Sequence, residues 1–134
     1  MDTPKRAAPS PALSQDECLN LVLGAKRGRI IHTLRGLPSA VPTRIYLVNG
    51  TLLFTGDDDV VEAANRRDVV SIQIDDATSE PATWSVVVTG RAERAVGFSV
   101  PTSFQPALEH GATLLVLPMT LLFGRREADL GMSG

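Results

Sequence analysis

The chain has 134 residues, 43% of them hydrophobic, and carries a net charge of −2 with a pI near 5.6. One domain is the expected organisation, and the acidic balance argues against a nucleic-acid partner, which calls for a basic face or stripe. A single cysteine rules out an internal disulfide, and no apolar run approaches the roughly 20 residues that span a bilayer, so a cytoplasmic protein with no membrane partner is expected.

Residues 1–12, "MDTPKRAAPSPA", are polar and proline-rich and lack the apolar centre of a secretion signal. A disordered tail is expected there, then one domain over 13–126, then a flexible C-terminal tail over 127–134. "SQDECLNLVLG" reads as a short helix. Ser14 and Glu17 make a capping-box pattern, Cys18, Leu19, Val22 and Leu23 form one apolar stripe, and Gly24 supplies the stop. On that stripe Cys18 reads as a small core residue rather than a nucleophile.

"GRIIHTL" is a strand, "RGLP" a turn, and "SAVPTRIYLV" a second strand in which Pro42 demands an edge or a bulge. Asn49-Gly50 then joins "RIYLV" to "TLLFT" as a hairpin, because both residues tolerate positive φ. Three aspartates, Asp57, Asp58 and Asp59, follow at the junction with a helix expected over Val60–Arg67. Asp59 is the expected cap, Glu62 its capping-box partner, and negative charge in the first turn suits the helix dipole. Three adjacent carboxylates can also collect a hard cation. No Asp-x-Asp-x-Asp-Gly loop is present, however, and neither histidine is near in sequence, so no metal is assigned.

Val69–Asp75 alternates as a strand, with Val70, Ile72 and Ile74 on one face. "WSVVVTGRAERA" is the strongest strand of the chain, apolar on both faces from Trp84 to Val88, and is expected to be buried on both sides. "GFSVPTSFQPALEHG" is irregular, with a helical turn ending at Gly111, and "ATLLVLP" and "MTLLFGRRE" close the chain as strands split at Pro118. The expected fold is therefore mostly β with short helices: a small antiparallel barrel of six to seven strands. His32 alternates with Ile30 and Leu34 and reads as a satisfied core or interface residue, His110 as a helix C-terminal residue.

The order "LS..EC", "GRI", the two spaced prolines, the Asn-Gly hairpin, "FTG", "IQID", "WSVVVTGRA" and "LFGRR" resembles the pyridoxamine 5′-phosphate oxidase-like superfamily, and within it the short actinobacterial FMN-binding split-barrel proteins. The resemblance implies a split β-barrel and a homodimer with FMN in the inter-subunit cleft. It implies flavin- or deazaflavin-dependent oxidoreductase chemistry, with a deazaflavin coenzyme as the alternative ligand to FMN. Carried over by position, it assigns Thr43, Arg44 and Thr55 to cofactor binding; Trp84, which has a stacking face but sits on an apolar strand where a tryptophan is usually core, is added from the residue itself as a weaker wall residue. It names no catalytic acid or base. Relatives grip the FMN phosphate with Arg-Thr at the end of the hairpin strand and Ser-Lys at the start of the helix. Read without a gap, this chain has Phe54-Thr55 and Asp59-Val60 there. The expected phosphate site has thus lost two cations and gained up to three anions. The same substitutions leave open a split-barrel dimer that has lost flavin and serves as a binding or structural protein.

Overall fold

The computed structural model describes residues 12–78 and 82–126. The expected tails lie outside these residues except for Ala12, which bridges Arg125, next to a Leu13 N–H donated to the Gly124 carbonyl at 2.9 Å. The elements run α1 (Gln15–Gly24), β1 (Arg27–Leu34), β2 (Leu37–Val48), β3 (Thr51–Gly56), α2 (Asp58–Asn65), β4 (Val69–Asp75), β5 (Trp84–Arg91), β6 (Glu93–Arg94), α3 (Gln105–Glu109) after a 3-10 turn, β7 (Thr113–Pro118) and β8 (Leu121–Arg126). All eight strands join one antiparallel sheet in the order β6-β7-β3-β2-β1-β4-β5-β8. This is the expected split barrel with one strand more. The addition is β6, a two-residue strand on β7 too short to leave a pattern in the sequence.

Local chemistry sets the turns. Asn49 and Gly50 both take positive φ (46° and 76°), as a two-residue hairpin requires, and Arg35 and Gly36 do the same (53° and 80°), so "RGLP" is a second tight hairpin. That turn fixes the β1–β2 register from Leu34↔Leu37 back to Arg27↔Arg44. Pro42 pairs with Arg29 of β1 and lies beyond the last β2–β3 pair, Ile45↔Phe54, so its missing N–H falls where β2 has a neighbour on one side only.

The inner face carries the core: Ile30, Ile45, Leu52, Phe54, Val70, Ile72, Ile74, Val86, Val88, Leu115 and Leu117 are all buried. Glycine is needed where elements approach closely, as at Gly90 and Gly124. A Cβ on Gly90 of β5 would stand 2.4 Å from the Pro118 carbonyl, where the sheet curls back on itself, and one on Gly124 would stand 2.7 Å from Cys18 Sγ, where α1 lies on β8. Cys18 is buried as expected, and burial pushes its thiol pKa up. The capping box at Ser14 is present in both directions. His32 is in the core, but it is not the satisfied residue expected, since its Nδ1 has no hydrogen-bond partner.

The outer face of β5 departs from expectation. Val86 and Val88 are buried, whereas Val87 and Thr89 on the other face are only half-buried and lie beside Phe123 and Leu121 of β8, which are 54% and 63% exposed. Within one chain the strand is therefore covered on one side only.

Candidate functional site

The β3–α2 junction comes first, because the sequence marks it. Asp57, not Asp59, caps α2: its Oδ1 accepts the Val60 N–H at 3.1 Å from an extended backbone (φ −82°, ψ −173°). Asp58 and Asp59 occupy the exposed first turn, and Glu62, expected to complete a capping box, reaches forward to Arg66 at 3.6 Å. The reason is helical phase. Burying Val60, Ala63 and Ala64 together fixes the rotation of α2, and the cap then falls two residues before the one expected.

The same phase puts the Val60 side chain wholly inside, in the space a Gly56 Cβ would otherwise fill, and Phe54 of β3 is equally buried. Phe54 and Val60, the two positions at which the resemblance implied cations, are therefore core positions here. Asp57 and Asp58 instead line a cleft of about 400 Å³ with Ala107, His110, Gly111 and Ala112. His110 is the C-cap of α3, as expected, with Nδ1 2.8 Å from the Pro106 carbonyl. Among the described residues no three His, Cys, Asp or Glu side chains stand together so as to hold a metal ion.

Thr43 and Thr55 are brought together, and they are spent on each other. Just beyond the last β2–β3 pair, the Thr43 hydroxyl accepts the Thr55 N–H at 3.2 Å and lies 3.1 Å from the Thr55 carbonyl, with the two hydroxyl oxygens 3.4 Å apart. Both residues are buried. The Thr43 hydroxyl thus continues the ladder by one rung where the backbones part, which makes Thr43 a positioning residue for β3.

Arg44 points the other way. It is exposed, as is Tyr46 two residues on, so the two share the outer face of β2. Opposite Arg44 across the β1–β2 ladder stands Arg27, also exposed. Like charges directly opposed in a sheet destabilise it. Among the described residues neither arginine has an ion pair to relieve this.

Arg27 also lines a second cleft, of about 530 Å³, between the end of α1 and the β4–β5 connection, together with Lys26, Leu21, Asp75, Asp76 and Trp84. Trp84 is half-buried there, packed in part against the core. Asp76 is buried at the cleft's edge. One of its carboxylate oxygens accepts from the Thr78 N–H at 2.8 Å and the Thr78 hydroxyl at 2.5 Å, the other from the Thr83 hydroxyl at 2.6 Å.

The four residues singled out from sequence therefore fall into an internal threonine pair, an outward arginine, and a tryptophan in another cleft linked to that arginine through Arg27. Sequence reasoning missed Lys26, Arg27 and Asp76. A signal for Arg27 was present: "RGLP" read as a two-residue turn places Arg27 opposite Arg44 by counting outward. No helix of the described residues is long and apolar enough to cross a membrane.

Comparison with known proteins follows the same lines. Residues 14–96 match the model of a family described as Pyridoxamine 5′-phosphate oxidase. Among solved structures, an FAD-binding protein from Mesorhizobium loti is 19% identical and has a TM-score of 0.68, over 87% of this chain and 97% of that one. An FAD-binding protein from Mycobacterium smegmatis is 25% identical with a TM-score of 0.64, over 87% and 98%. A flavocytochrome from Azotobacter vinelandii is 13% identical with a TM-score of 0.64, over 87% of this chain and 69% of that one. No curated protein matches the sequence.

Proposed function

The chain belongs to the pyridoxamine 5′-phosphate oxidase family, and from that premise we propose that it is a dimeric flavin-binding protein with oxidoreductase chemistry and a disabled phosphate site. The observation that carries this reading is the family match over residues 14–96 on a split barrel, a fold shared with two FAD-binding proteins. A bound flavin or deazaflavin would supply hydride transfer, and the protein's part is to bind and orient it.

The residues fit such a group unequally. Arg44 and Tyr46 stand free on the outer face of β2, able to donate hydrogen bonds to a ring system and to stack on it, while Thr43 and Thr55 hold β2 and β3 at fixed separation beneath. Trp84 is a wall residue only if the ring reaches past Arg27. A phosphate does not fit the α2 N-terminus, where Asp58 and Asp59 are exposed and the buried Phe54 and Val60 offer no positive charge. Ring contacts rather than phosphate contacts then dominate binding. FMN and a deazaflavin coenzyme remain the two candidate ligands. A dimer without flavin, acting as a binding or structural protein, is the second reading, and the same acidic turn favours it.

The homodimer uses the outer face of β4, β5 and β8. Phe123 and Leu121 are more than half exposed, as is Val69, with Val87 between them on the same face. Covering this patch in a second copy completes the burial that the apolar β5 calls for. Two experiments test the proposal. Sedimentation should give a dimer for wild type and a monomer for Phe123→Glu, and a wild-type monomer at micromolar concentration overturns the assembly. Anaerobic reduction of added flavin, followed by its blue absorbance with a nicotinamide or reduced deazaflavin donor, should proceed faster with the protein than without. No acceleration removes the oxidoreductase reading and leaves the binding one.

A further inference from the structure

A second, smaller core lies on the outer face of β3 and β7, and a cleft opens at its rim. Leu53 and Val116, paired across the ladder, are buried there with Phe104, which is fully enclosed. After β6 the chain leaves the sheet at Gly97, where φ is 80°, and returns through the 3-10 turn Thr102–Phe104, in which the Phe104 N–H donates to the Pro101 carbonyl at 2.9 Å. The Ala95 N–H, donated to the Leu114 carbonyl at 3.2 Å, holds the other end. Segment 97–103 is thus pinned at both ends, and it stands off from the β2–β3 hairpin across a cleft of about 660 Å³. That volume suits a small organic molecule.

The lining is polar and uncharged. Tyr46 and Asn49 of the hairpin face Ser99, Thr102 and Ser103 of the segment. Among the described residues none of these five side chains is spent on a partner within the protein, whereas the Thr43, Ser71 and Thr89 hydroxyls are engaged within the sheet. Val48 and Phe98, which pack against the small core, add apolar surface together with Val100 and Pro101. No lining side chain carries a charge. An ionic ligand would find no counter-charge here, and a wholly apolar one would cover hydroxyls without satisfying them.

We propose that this cleft binds an uncharged saccharide of one or two rings, with the Tyr46 ring against one face of the sugar and Asn49, Ser99 and Ser103 bonding its hydroxyls. The match is chemical. Each sugar hydroxyl both donates and accepts, as do the hydroxyl and amide side chains of the cleft. The C–H face of a sugar ring is apolar and packs on an aromatic ring, and tyrosine adds a polar tip. Tyr46 is 52% exposed, so its ring is open to such a contact. The site shares Tyr46 with the flavin reading but does not rest on it. No lining residue belongs to β4, β5 or β8, the strands that the proposed assembly covers.

The test is protein-observed NMR on the full-length chain. Glucose, galactose, maltose and lactose are added separately to about 20 mM, a range that captures dissociation constants near 1 mM. At least one should shift the amides of Asn49 and of segment 97–103 saturably. Tyr46→Thr removes the ring, keeps a strand-forming residue, and should abolish the saturation. Ser99→Ala combined with Ser103→Ala should weaken the same sugar about fivefold or more through two lost hydrogen bonds, and leave flavin binding unchanged. All three side chains are exposed, so the fold should hold, as thermal melting checks. Glucose 6-phosphate, the charged control, should bind no tighter than glucose.

Four results overturn the proposal: no saturable shift with any of the four sugars, shifts that miss segment 97–103, a double serine variant that titrates like wild type, or glucose 6-phosphate tighter than glucose. Riboflavin moving these amides where no sugar does assigns the cleft to the flavin instead. Absence of flavin binding with sugar binding intact would sink the flavin reading and leave this one standing.

Discussion

Neutralising the first turn of α2 should convert a poor FMN ligand site into a better one. The variant is Asp58→Asn with Asp59→Asn. Asp57 is kept because its carboxylate is the helix cap, and removing it would cost about 1 kcal/mol of stability for reasons unrelated to binding. Both substituted side chains are exposed, so the change is electrostatic. A phosphate dianion about 8 Å from one carboxylate is repelled by roughly 1 kcal/mol at the dielectric of water and by roughly 4 kcal/mol at an effective value near 20. Removing two such charges should tighten FMN by more than about tenfold even at the solvent-like limit. The helix loses favourable dipole interactions of about 0.3–1 kcal/mol per residue, a drop in stability that a denaturation curve will register. The assay is flavin-fluorescence titration of wild type and variant with FMN and with riboflavin, which lacks the phosphate. FMN should tighten and riboflavin should not move. If FMN is unchanged, or both flavins tighten together, the α2 N-terminus does not face the phosphate and the reasoning fails.

Restoring the relatives' lysine by Val60→Lys should leave the protein unfolded by circular dichroism rather than improve FMN binding, because Val60 is fully buried against Gly56 and an unpaired ammonium there costs several kcal/mol; a folded variant with tighter FMN would refute the placement of α2. Two glycine-to-alanine changes should act in opposite directions on the urea midpoint. Gly90→Ala should destabilise by about 1–3 kcal/mol, since its Cβ would meet the Pro118 backbone carbonyl, while Gly24→Ala, helical and with nothing within 4 Å, should stabilise by up to about 1 kcal/mol. The Glu17 carboxylate accepts the Ser14 N–H at 2.8 Å, and that bond is the main cause of its lowered pKa. Its contribution is therefore present above the ordinary value of 4.5 and lost as pH falls through the lower folded value. The stability of wild type relative to Glu17→Gln should shrink over that window in acid denaturation, and a difference that grows as pH falls would contradict the assignment.

The parts of this molecule that were legible beforehand are those governed by short-range chemistry. Asn49-Gly50, the Ser14–Glu17 capping box and the alternation of β4 each depend on residues within a few positions of one another, and all three are present. What was not legible depends on partners far along the chain. The cap of α2 is chosen by which residues the helix buries, so three consecutive aspartates could not reveal which of them it would be. Phe54 and Val60 read as replacements at a ligand site, yet the sheet and α2 turn both into the core. Thr43 and Thr55 are 12 positions apart, and only their meeting where β2 and β3 part shows that their hydroxyls are engaged. Val87 made β5 read as apolar on both faces, yet its outer face carries Ser85, Val87 and Thr89, all half-buried within one chain.

The central claim is that this split barrel holds a flavin by its ring rather than by its phosphate. Parallel titration of wild-type protein with riboflavin and FMN, following quenching of flavin fluorescence, tests it most directly. Saturable binding of one riboflavin per subunit, with FMN no tighter than riboflavin, is the predicted result. FMN more than about tenfold tighter would mean an intact phosphate site. Absence of saturable binding for both flavins would contradict the account outright and leave a split barrel that has kept its family's fold without its cofactor.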